Sequence, residues 1–424
     1  MTSNLASKQS PLVAPEQLST PLAALRERLQ SRTATVAVVG QGYVGFPLAQ
    51  RIAEKGFPTL GLDSSADVEQ RCRGMNVHSS YRSTSDPSGL ADADIVVVAV
   101  PTPTIDTETG RFPDLGNVRA AMADIERHPR NGGTARLVIV ESTYAPGTTR
   151  SLVHEFFSEF VVGDDIAVGY SPERIDPGNA HYSVDNIPKV VSGLDEASLL
   201  LTREFYDCIV DDTIPATSVE AAEACKLLEN TFRFINITFA QEFEEYCSAI
   251  GVNAREATNL AATKPFGFMR FFAGAGIGGH CIAEDPYFLF ESMRQASVEP
   301  KILASALSNH ELRAASLVGR VAARLGGLDG KRILLLGVSY KPDVADTRRS
   351  PASPILRELL AHGAQVAFHD PLVPFFEGRE STSLESAELR FDMAIVIASH
   401  TSFDVDSLRC AGLRVFDPAA PLED

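Results

Sequence analysis

Near the amino end an apolar run, Thr35–Val39, stops at Gly40-Gln41-Gly42-Tyr43-Val44-Gly45; a helical stretch follows to Lys55, and a second apolar run occupies Thr59–Leu62. Short apolar runs bounded by glycine read as buried strands, and the periodic segment between them reads as a helix. This is a βαβ unit, which calls for a parallel sheet covered on both faces. The glycines have separate tasks in such a turn. Gly40 permits the tight bend, Gly42 lets the backbone approach a pyrophosphate, and Gly45 lets helix and strand pack closely, while the first helical amides, after Tyr43 and Val44, face the phosphates. Asp63 lies 18 positions after Gly45 at the end of the second run. A carboxylate there accepts hydrogen bonds from ribose hydroxyls and repels the extra phosphate of NADP, so NAD is the expected cofactor. A glycine-rich turn with a surface aspartate is the plainer alternative; strand, helix and acid occurring together disfavour it.

The same texture continues. Strand candidates follow at Ile95–Val100, Leu137–Val140, Ile166–Val168 and Val190–Val191, with helical or loop segments between them. From Ser218 to Gly251 the chain becomes one long helical stretch, roughly 50 Å at 1.5 Å per residue. A helix of that length suits a domain spine or a dimer interface. A second α/β pattern starts at Arg332–Leu336 and runs through Pro354–His362, Val366–His369, Met393–Ala398 and Leu413–Phe416. The expected fold is α/β: two Rossmann-like, doubly wound domains joined by a central helical domain with a long spine helix. The expected divisions are a flexible tail at 1–20, an NAD-binding domain at 21–216 opening with a short helix at Pro21–Gln30, a central dimerisation domain at 217–328, and a nucleotide-binding domain at 329–424.

Composition narrows the function. With 38 basic and 55 acidic residues the formal net charge is −17, so phosphate-bearing ligands must be held by local donors, and nucleic acid is not an expected partner. Cys72, Cys208, Cys225, Cys247, Cys281 and Cys410 are scattered without CxxC spacing, and no metal site is expected. No signal peptide and no apolar run near the ~20 residues of a membrane span are evident, which points to reduced thiols, a cytoplasmic location and no membrane partner.

Three further features carry chemistry. Ala275-Gly276-Ile277-Gly278-Gly279-His280-Cys281 places a thiol after a glycine run, closely followed by Glu284 and Asp285. It could be a structural cysteine, but beside a dinucleotide site a thiolate can capture an aldehyde and carry it to a second hydride transfer. Lys226 and Asn230 lie one turn apart on the long helix, where an ammonium and an amide could stabilise an oxyanion; a solvated helix face is the bland alternative. Glu173, followed by Arg174 in Tyr170-Ser171-Pro172-Glu173-Arg174, could be a general acid/base or a surface acid.

Seven blocks, in order, resemble the UDP-glucose/GDP-mannose dehydrogenase family: GQGYVGFPLA, VPTPT, ESTYAPGTT, YSPERIDPGN, EACKLLENTFRFIN, GIGGHCIAEDPYFL and GVSYKPDVADTRRSPA. The resemblance runs from about residue 22 onward. TKPFGFM, SPER followed by DPGN, and LRERLQSRTATVAVVG are similar to the branch acting on UDP-N-acetylglucosamine. The resemblance implies oxidation of the sugar C6 hydroxymethyl with NAD, addition of Cys281 to the aldehyde, a second oxidation to a thioester, and hydrolysis to the uronic acid. UDP-glucose or UDP-N-acetylmannosamine are alternative substrates, and a non-catalytic nucleotide-sugar binder is an alternative of another class. By the same resemblance Lys226 and Asn230 stabilise oxyanions, while Glu173, Thr143 and Asp285 organise water and protons. Gly40, Gly42, Tyr43, Val44, Gly45, Asp63, Thr102, Thr143 and Arg348 fall on cofactor positions. Tyr340 and Lys341 hold UDP; Glu173, Arg174, Lys226, Asn230, Gly278 and Arg270 fall on the sugar side, Arg270 reaching it from a neighbouring subunit of a homodimer formed through the central helix. The chain departs from the family pattern at Ala283-Glu284, where an added carboxylate beside Asp285 could disfavour the Cys281 thiolate. It departs again at Arg270 and Ala273.

Overall fold

A computed structural model describes residues 18–75, 77–107, 110–175, 181–385 and 387–419. The expected tail therefore lies, through residue 17, outside the described residues, as does the DPGN motif at 176–179. The chain divides into two compact units, Met1–Leu228 and Glu229–Asp424.

In the first unit α1 (Thr20–Gln30) is capped by the Ser19 hydroxyl, which accepts the Leu22 amide. Strands and helices then alternate: β1 (Val36–Val39), α2 (Gly45–Glu54), β2 (Thr59–Leu62), α3 (Ala66–Gly74), β3 (Tyr81–Thr84) and β4 (Ile95–Val98). A hairpin of β5 (Thr104–Thr107) and β6 (Gly110–Pro113) follows. Beyond it come α4 (Gly116–Arg127), β7 (Arg136–Val140), α5 (Thr148–Phe156), β8 (Ile166–Tyr170), β9 (Lys189–Gly193), α6 (Glu196–Asp207) and β10 (Thr213–Pro215). Eight of these strands form one sheet in the order β10-β9-β8-β7-β4-β1-β2-β3. Every residue of β1, β2 and β4 is buried, as expected of strands covered on both faces.

Two details differ from the sequence pattern. β9 runs antiparallel to β8, pairing Gly169 with Gly193 and Tyr170 with Ser192, so the sheet is not parallel throughout. A parallel neighbour needs a crossover, and no helix joins β8 to β9 among the described residues. β3, β10 and the β5–β6 hairpin have no counterpart in the sequence pattern, because edge strands and hairpins carry polar residues on their open side and lack a continuous apolar run.

The helix α7 (Val219–Ala249) realises the long helical stretch and crosses the division between the units. In the second unit it is followed by α8 (Ala254–Ala261), α9 (Asp285–Gln295), α10 (Lys301–Leu325), β11 (Arg332–Leu336), α11 (Ala352–Ala361), β12 (Gln365–His369), β13 (Phe375–Phe376), β14 (Arg379–Glu380), α12 (Ala387–Arg390), β15 (Met393–Val396), α13 (Val405–Cys410) and β16 (Val415–Phe416). The sheet here is β12-β11-β15-β16, parallel throughout. The carboxyl part of α7 is fastened to α10 by Arg320 on Glu244 and Arg313 on Glu245, each at 2.7 Å. Phe234 packs there with Leu303, Ala306, Leu307 and Tyr287.

The two sheets share one local solution. The strand order reverses between β1 and β4 in the first and between β11 and β15 in the second, which opens a crevice at the strands' carboxyl ends. The glycine ending each central strand has positive φ, +93° at Gly40 and +75° at Gly337. A side chain there would collide with a neighbouring carbonyl, Ala99 O at 2.7 Å or Ala398 O at 2.2 Å. In both, an aspartate after the adjacent strand accepts the next backbone N–H: Gln41 N to Asp63 Oδ2 at 2.8 Å, and Val338 N to Asp370 Oδ2 at 2.7 Å. Physically, each is a turn held tight so that a ligand can come close to the backbone.

Candidate functional site

In the first unit the residues assigned to the cofactor gather along that carboxyl edge. Gly40–Gly45 follows β1, Thr102 follows β4 and Thr143 follows β7, and these strands are neighbours. An added Cβ on Gly45 would lie 1.8 Å from Gly40 O, so only glycine lets α2 pack this closely on the turn. An added Cβ on Gly42 would meet nothing within 4 Å, so the backbone there is open to a ligand. The start of α2 has no side-chain cap, which leaves its positive end to an anion. Buried Gln41 braces the turn, donating to Val38 O at 2.9 Å and accepting from Tyr81 OH at 2.8 Å. Asp63 accepts from Gln41 N and from Ser65 N at 3.0 Å, which aims a part-exposed carboxylate beside the turn. These residues fit a dinucleotide. Tyr43 is half exposed and Val44 is partly covered.

Glu173 follows β8 and is not a surface acid. Its Oε1 accepts the backbone amides of Arg174, at 2.7 Å, and Ile175, while Lys189 Nζ donates to Oε2 at 3.3 Å. Lys226, only 6% exposed, donates from Nζ to the Glu173 carbonyl oxygen. Burial favours the neutral acid, but Lys189, Lys226 and the two amides outweigh it and hold the Glu173 carboxyl below its ordinary value. Arg174 directs its guanidinium to Pro188 O at 2.7 Å.

In the second unit the glycine run before Cys281 is explained by close packing. A Cβ on Gly276 would meet Pro351 Cβ at 2.7 Å, one on Gly278 would meet Tyr340 Cβ at 2.8 Å, and one on Gly279 would meet the Tyr340 ring at 2.9 Å. The segment 337–351 thus lies directly on the segment carrying the thiol. Cys281 is exposed, in the turn that leads into α9, and its carbonyl accepts the Asp285 amide at 2.9 Å. A helix amino end favours a thiolate nearby. Asn230 Nδ2 donates to Asp285 Oδ2 at 2.5 Å, and Asp285 is buried. His280 is largely buried, which lowers its pKa and keeps the ring neutral at physiological pH; Glu284 opposes this, while Arg348 and Arg349 reinforce it. Lys341 is partly covered, and its carbonyl accepts from Ser339 Oγ at 2.9 Å. Arg348 is half exposed and bidentate on Asp346. Arg270 is exposed in an irregular segment.

Comparison with known proteins identifies the family. Models of the UDP-glucose/GDP-mannose dehydrogenase family match at residues 34–210 (NAD binding domain), 220–311 (central domain) and 334–420 (UDP binding domain). A UDP-N-acetyl-D-glucosamine 6-dehydrogenase of Pseudomonas aeruginosa is 34% identical over 80% of this chain and 83% of its own. A UDP-N-acetyl-D-mannosamine dehydrogenase of Methanocaldococcus jannaschii is 30% identical over 90% of each. The chain belongs to the UDP-glucose/GDP-mannose dehydrogenase family. A solved UDP-D-ManNAc dehydrogenase from Pyrococcus horikoshii has the same fold, with a TM-score of 0.79 and 27% identity over 89% of this chain and 93% of that one. As a member of this family the chain is an NAD-dependent nucleotide-sugar dehydrogenase.

Glu284, where the sequence departs from the family pattern, is 1% exposed and ion-paired to Arg349 from the packed segment. Its charge is therefore answered by a guanidinium rather than set against Asp285 and the thiol. Arg349→Met should take the guanidinium away from that buried carboxylate, costing about 3 kcal/mol in urea unfolding. Adding Glu284→Gln should recover most of the loss.

Several residues that shape these sites were not singled out in the sequence. Glu141 and Lys189 flank Glu173, and His400 with Asp370 braces the turn before Tyr340. His400 Nδ1 accepts the Asp343 amide at 3.0 Å, while Nε2 lies 3.1 Å from Asp370 and 3.2 Å from Ser339 Oγ. Both oxygens meet the same nitrogen, so this is a structural clasp and not a nucleophilic relay. Asp370 could have been found as the acid ending the strand after Gly337, by analogy with Asp63; Lys189 and His400 had no local signal.

Proposed function

We propose that the chain oxidises C6 of a UDP-linked 2-acetamido sugar, UDP-N-acetylglucosamine by preference, to the uronic acid through a thioester on Cys281. The carrying observation is the packing of Tyr340 on Gly278-Gly279, which sets the UDP-binding segment against the thiol segment within one unit. The chemistry that NAD supplies when bound, held by the Gly40–Gly45 turn, Asp63, Thr102 and Thr143, with Arg348, is hydride acceptance at each of two oxidations. Loss of a hydride and a proton from the alcohol leaves an aldehyde. Cys281 adds as thiolate to the carbonyl, and its oxygen takes the negative charge beside Lys226 and Asn230 before protonation to a thiohemiacetal. Loss of a second hydride and a proton gives the thioester. Water, deprotonated by Glu173 with Thr143 and Asp285 ordering it, adds to that carbonyl; collapse expels the thiolate and leaves the carboxylate. Tyr340 and Lys341 hold UDP, with Arg174, Gly278 and Arg270 on the sugar side.

The acetamido preference rests on the names of the two relatives, and the higher identity favours the glucosamine sugar over the mannosamine one. Residues 21–216, 217–328 and 329–424 serve as the NAD-binding, central and UDP-binding domains. A homodimer through α7 is supported by exposed Leu228, Phe232, Phe239 and Tyr246, spaced by four or seven residues and so on one side of that helix. No helix among the described residues is long and apolar enough to cross a membrane, and a cytoplasmic enzyme accords with six cysteines that have no CxxC spacing.

The test is NADH formed per sugar consumed, with UDP-N-acetylglucosamine, UDP-N-acetylmannosamine and UDP-glucose supplied separately. Two NADH per UDP-N-acetylglucosamine is the expected result. One per sugar would remove the thioester, and turnover confined to UDP-glucose would overturn the acetamido preference.

A further inference from the structure

Behind Glu173 the first unit buries a second carboxylate that the mechanism does not use. Glu141 directly follows β7, as Glu173 follows β8, and the two strands are paired through Val140 and Tyr170. Lys189, the first residue of β9, lies between the carboxylates: its Nζ is 2.8 Å from Glu141 Oε1 and 3.3 Å from Glu173 Oε2. The Glu141 side chain has no solvent exposure, that of Lys189 has 9%, and the Tyr206 hydroxyl on α6 also donates to Glu141 Oε1. The other Glu141 oxygen is buried without a hydrogen-bond partner. Lys189 Nζ also sits 5.1 Å from the centre of the Tyr206 ring. One ammonium thus serves two carboxylates, in a place where water cannot screen them.

Around Glu173 the cations are Lys189, which faces both carboxylates, and Lys226, whose Nζ meets the Glu173 carbonyl oxygen. We propose that Lys189 is a positioning residue for Glu173, holding its carboxylate while the buried Glu141 carboxyl anchors the ammonium from the other side. The inference rests on the reading of Glu173 as the group that handles the proton of the attacking water.

Of the charged and titratable groups near Glu173, Lys189 on β9 and Lys226 on α7 favour its ionised form, while Glu141 faces Lys189 and accepts from the Tyr206 hydroxyl. Burial pushes the Glu141 carboxyl up, to about 7, against the pull of Lys189. Lys189 itself is held above its ordinary value, because the two carboxylates outweigh the effect of burial. Removing Lys189 should therefore make Glu173 harder to ionise, whereas Glu141, protonated over the range where Glu173 titrates, should bear little on it.

The experiment is the pH dependence of kcat on the full-length enzyme with NAD and the UDP-sugar it turns over. Glu173→Gln should abolish the acid limb, which assigns that limb to Glu173. Lys189→Met should move the limb upward by about one pH unit, the smaller end of the effect of losing a close opposite charge. Lys189→Arg should return it toward the parent position, and Glu141→Gln, which replaces a carboxyl that is neutral over that range, should leave it near the parent position. Because Lys189→Met strands Glu141, the double variant Lys189→Met/Glu141→Gln removes both buried groups together; its limb should lie above that of Glu141→Gln alone. A limb lost in Glu173→Gln yet unmoved in Lys189→Met and in the double variant would overturn this inference and leave the role of Glu173 intact. A limb that persists in Glu173→Gln would remove that role, and this inference with it.

Discussion

Cys281→Ser should lower uronic acid formation about 10³-fold or more, the scale on which loss of a covalent nucleophile is felt. Any NADH produced should stop at one per sugar, with the product trapped as an aldehyde by a carbonyl reagent. A serine hydroxyl is barely ionised at neutral pH, and an oxygen adduct would have to be oxidised to an ester in place of a thioester. Because Cys281 is exposed in the turn before α9, the exchange removes no core packing, and the melting temperature should stay within a degree or two of the parent. Product analysis by mass, alongside NADH counted by absorbance, measures both halves of the expectation. An unchanged yield of uronic acid would withdraw the covalent role from this residue.

Lys226→Ala should lower kcat by about 10²–10³ with little change in KM, as when one donor to a developing oxyanion is removed. Its burial and its bond to the Glu173 carbonyl make a second consequence calculable. The carbonyl loses a partner, at about 1–3 kcal/mol, so a modest drop in melting temperature should accompany the rate effect. Steady-state kinetics separate the two: a rise in KM alone would make Lys226 a substrate-binding residue, while a loss of stability without a matching fall in kcat would make it a structural one.

The site was legible in the sequence to unequal degrees. The Gly40–Gly45 turn and Asp63 could be read because a dinucleotide turn is local: strand, glycines, helix and acid follow one another in the chain. Cys281 could be noticed but not explained. Nothing in the neighbouring residues accounts for its glycine run; Gly276, Gly278 and Gly279 are small because Tyr340 and Pro351 press on them from more than sixty residues away. Lys226 and Glu173 each had a surface reading that their burial removes, and their mutual contact spans 53 positions. Glu284 was a misfit beside Asp285 until Arg349 supplied its partner.

The sequence by itself determined the alternation of strands and helices, the long α7 helix and the cofactor turn, since each depends on hydrophobic periodicity and glycine geometry acting over a few residues. Only the tertiary structure decided the reversed course of β9, the sharing of Lys189 by Glu141 and Glu173, and the seating of Tyr340 on the thiol loop. The physical reason is range. Burial and charge pairing are set by which distant segments meet, and a buried carboxylate or a crowded glycine carries no mark of its partner in the residues on either side of it.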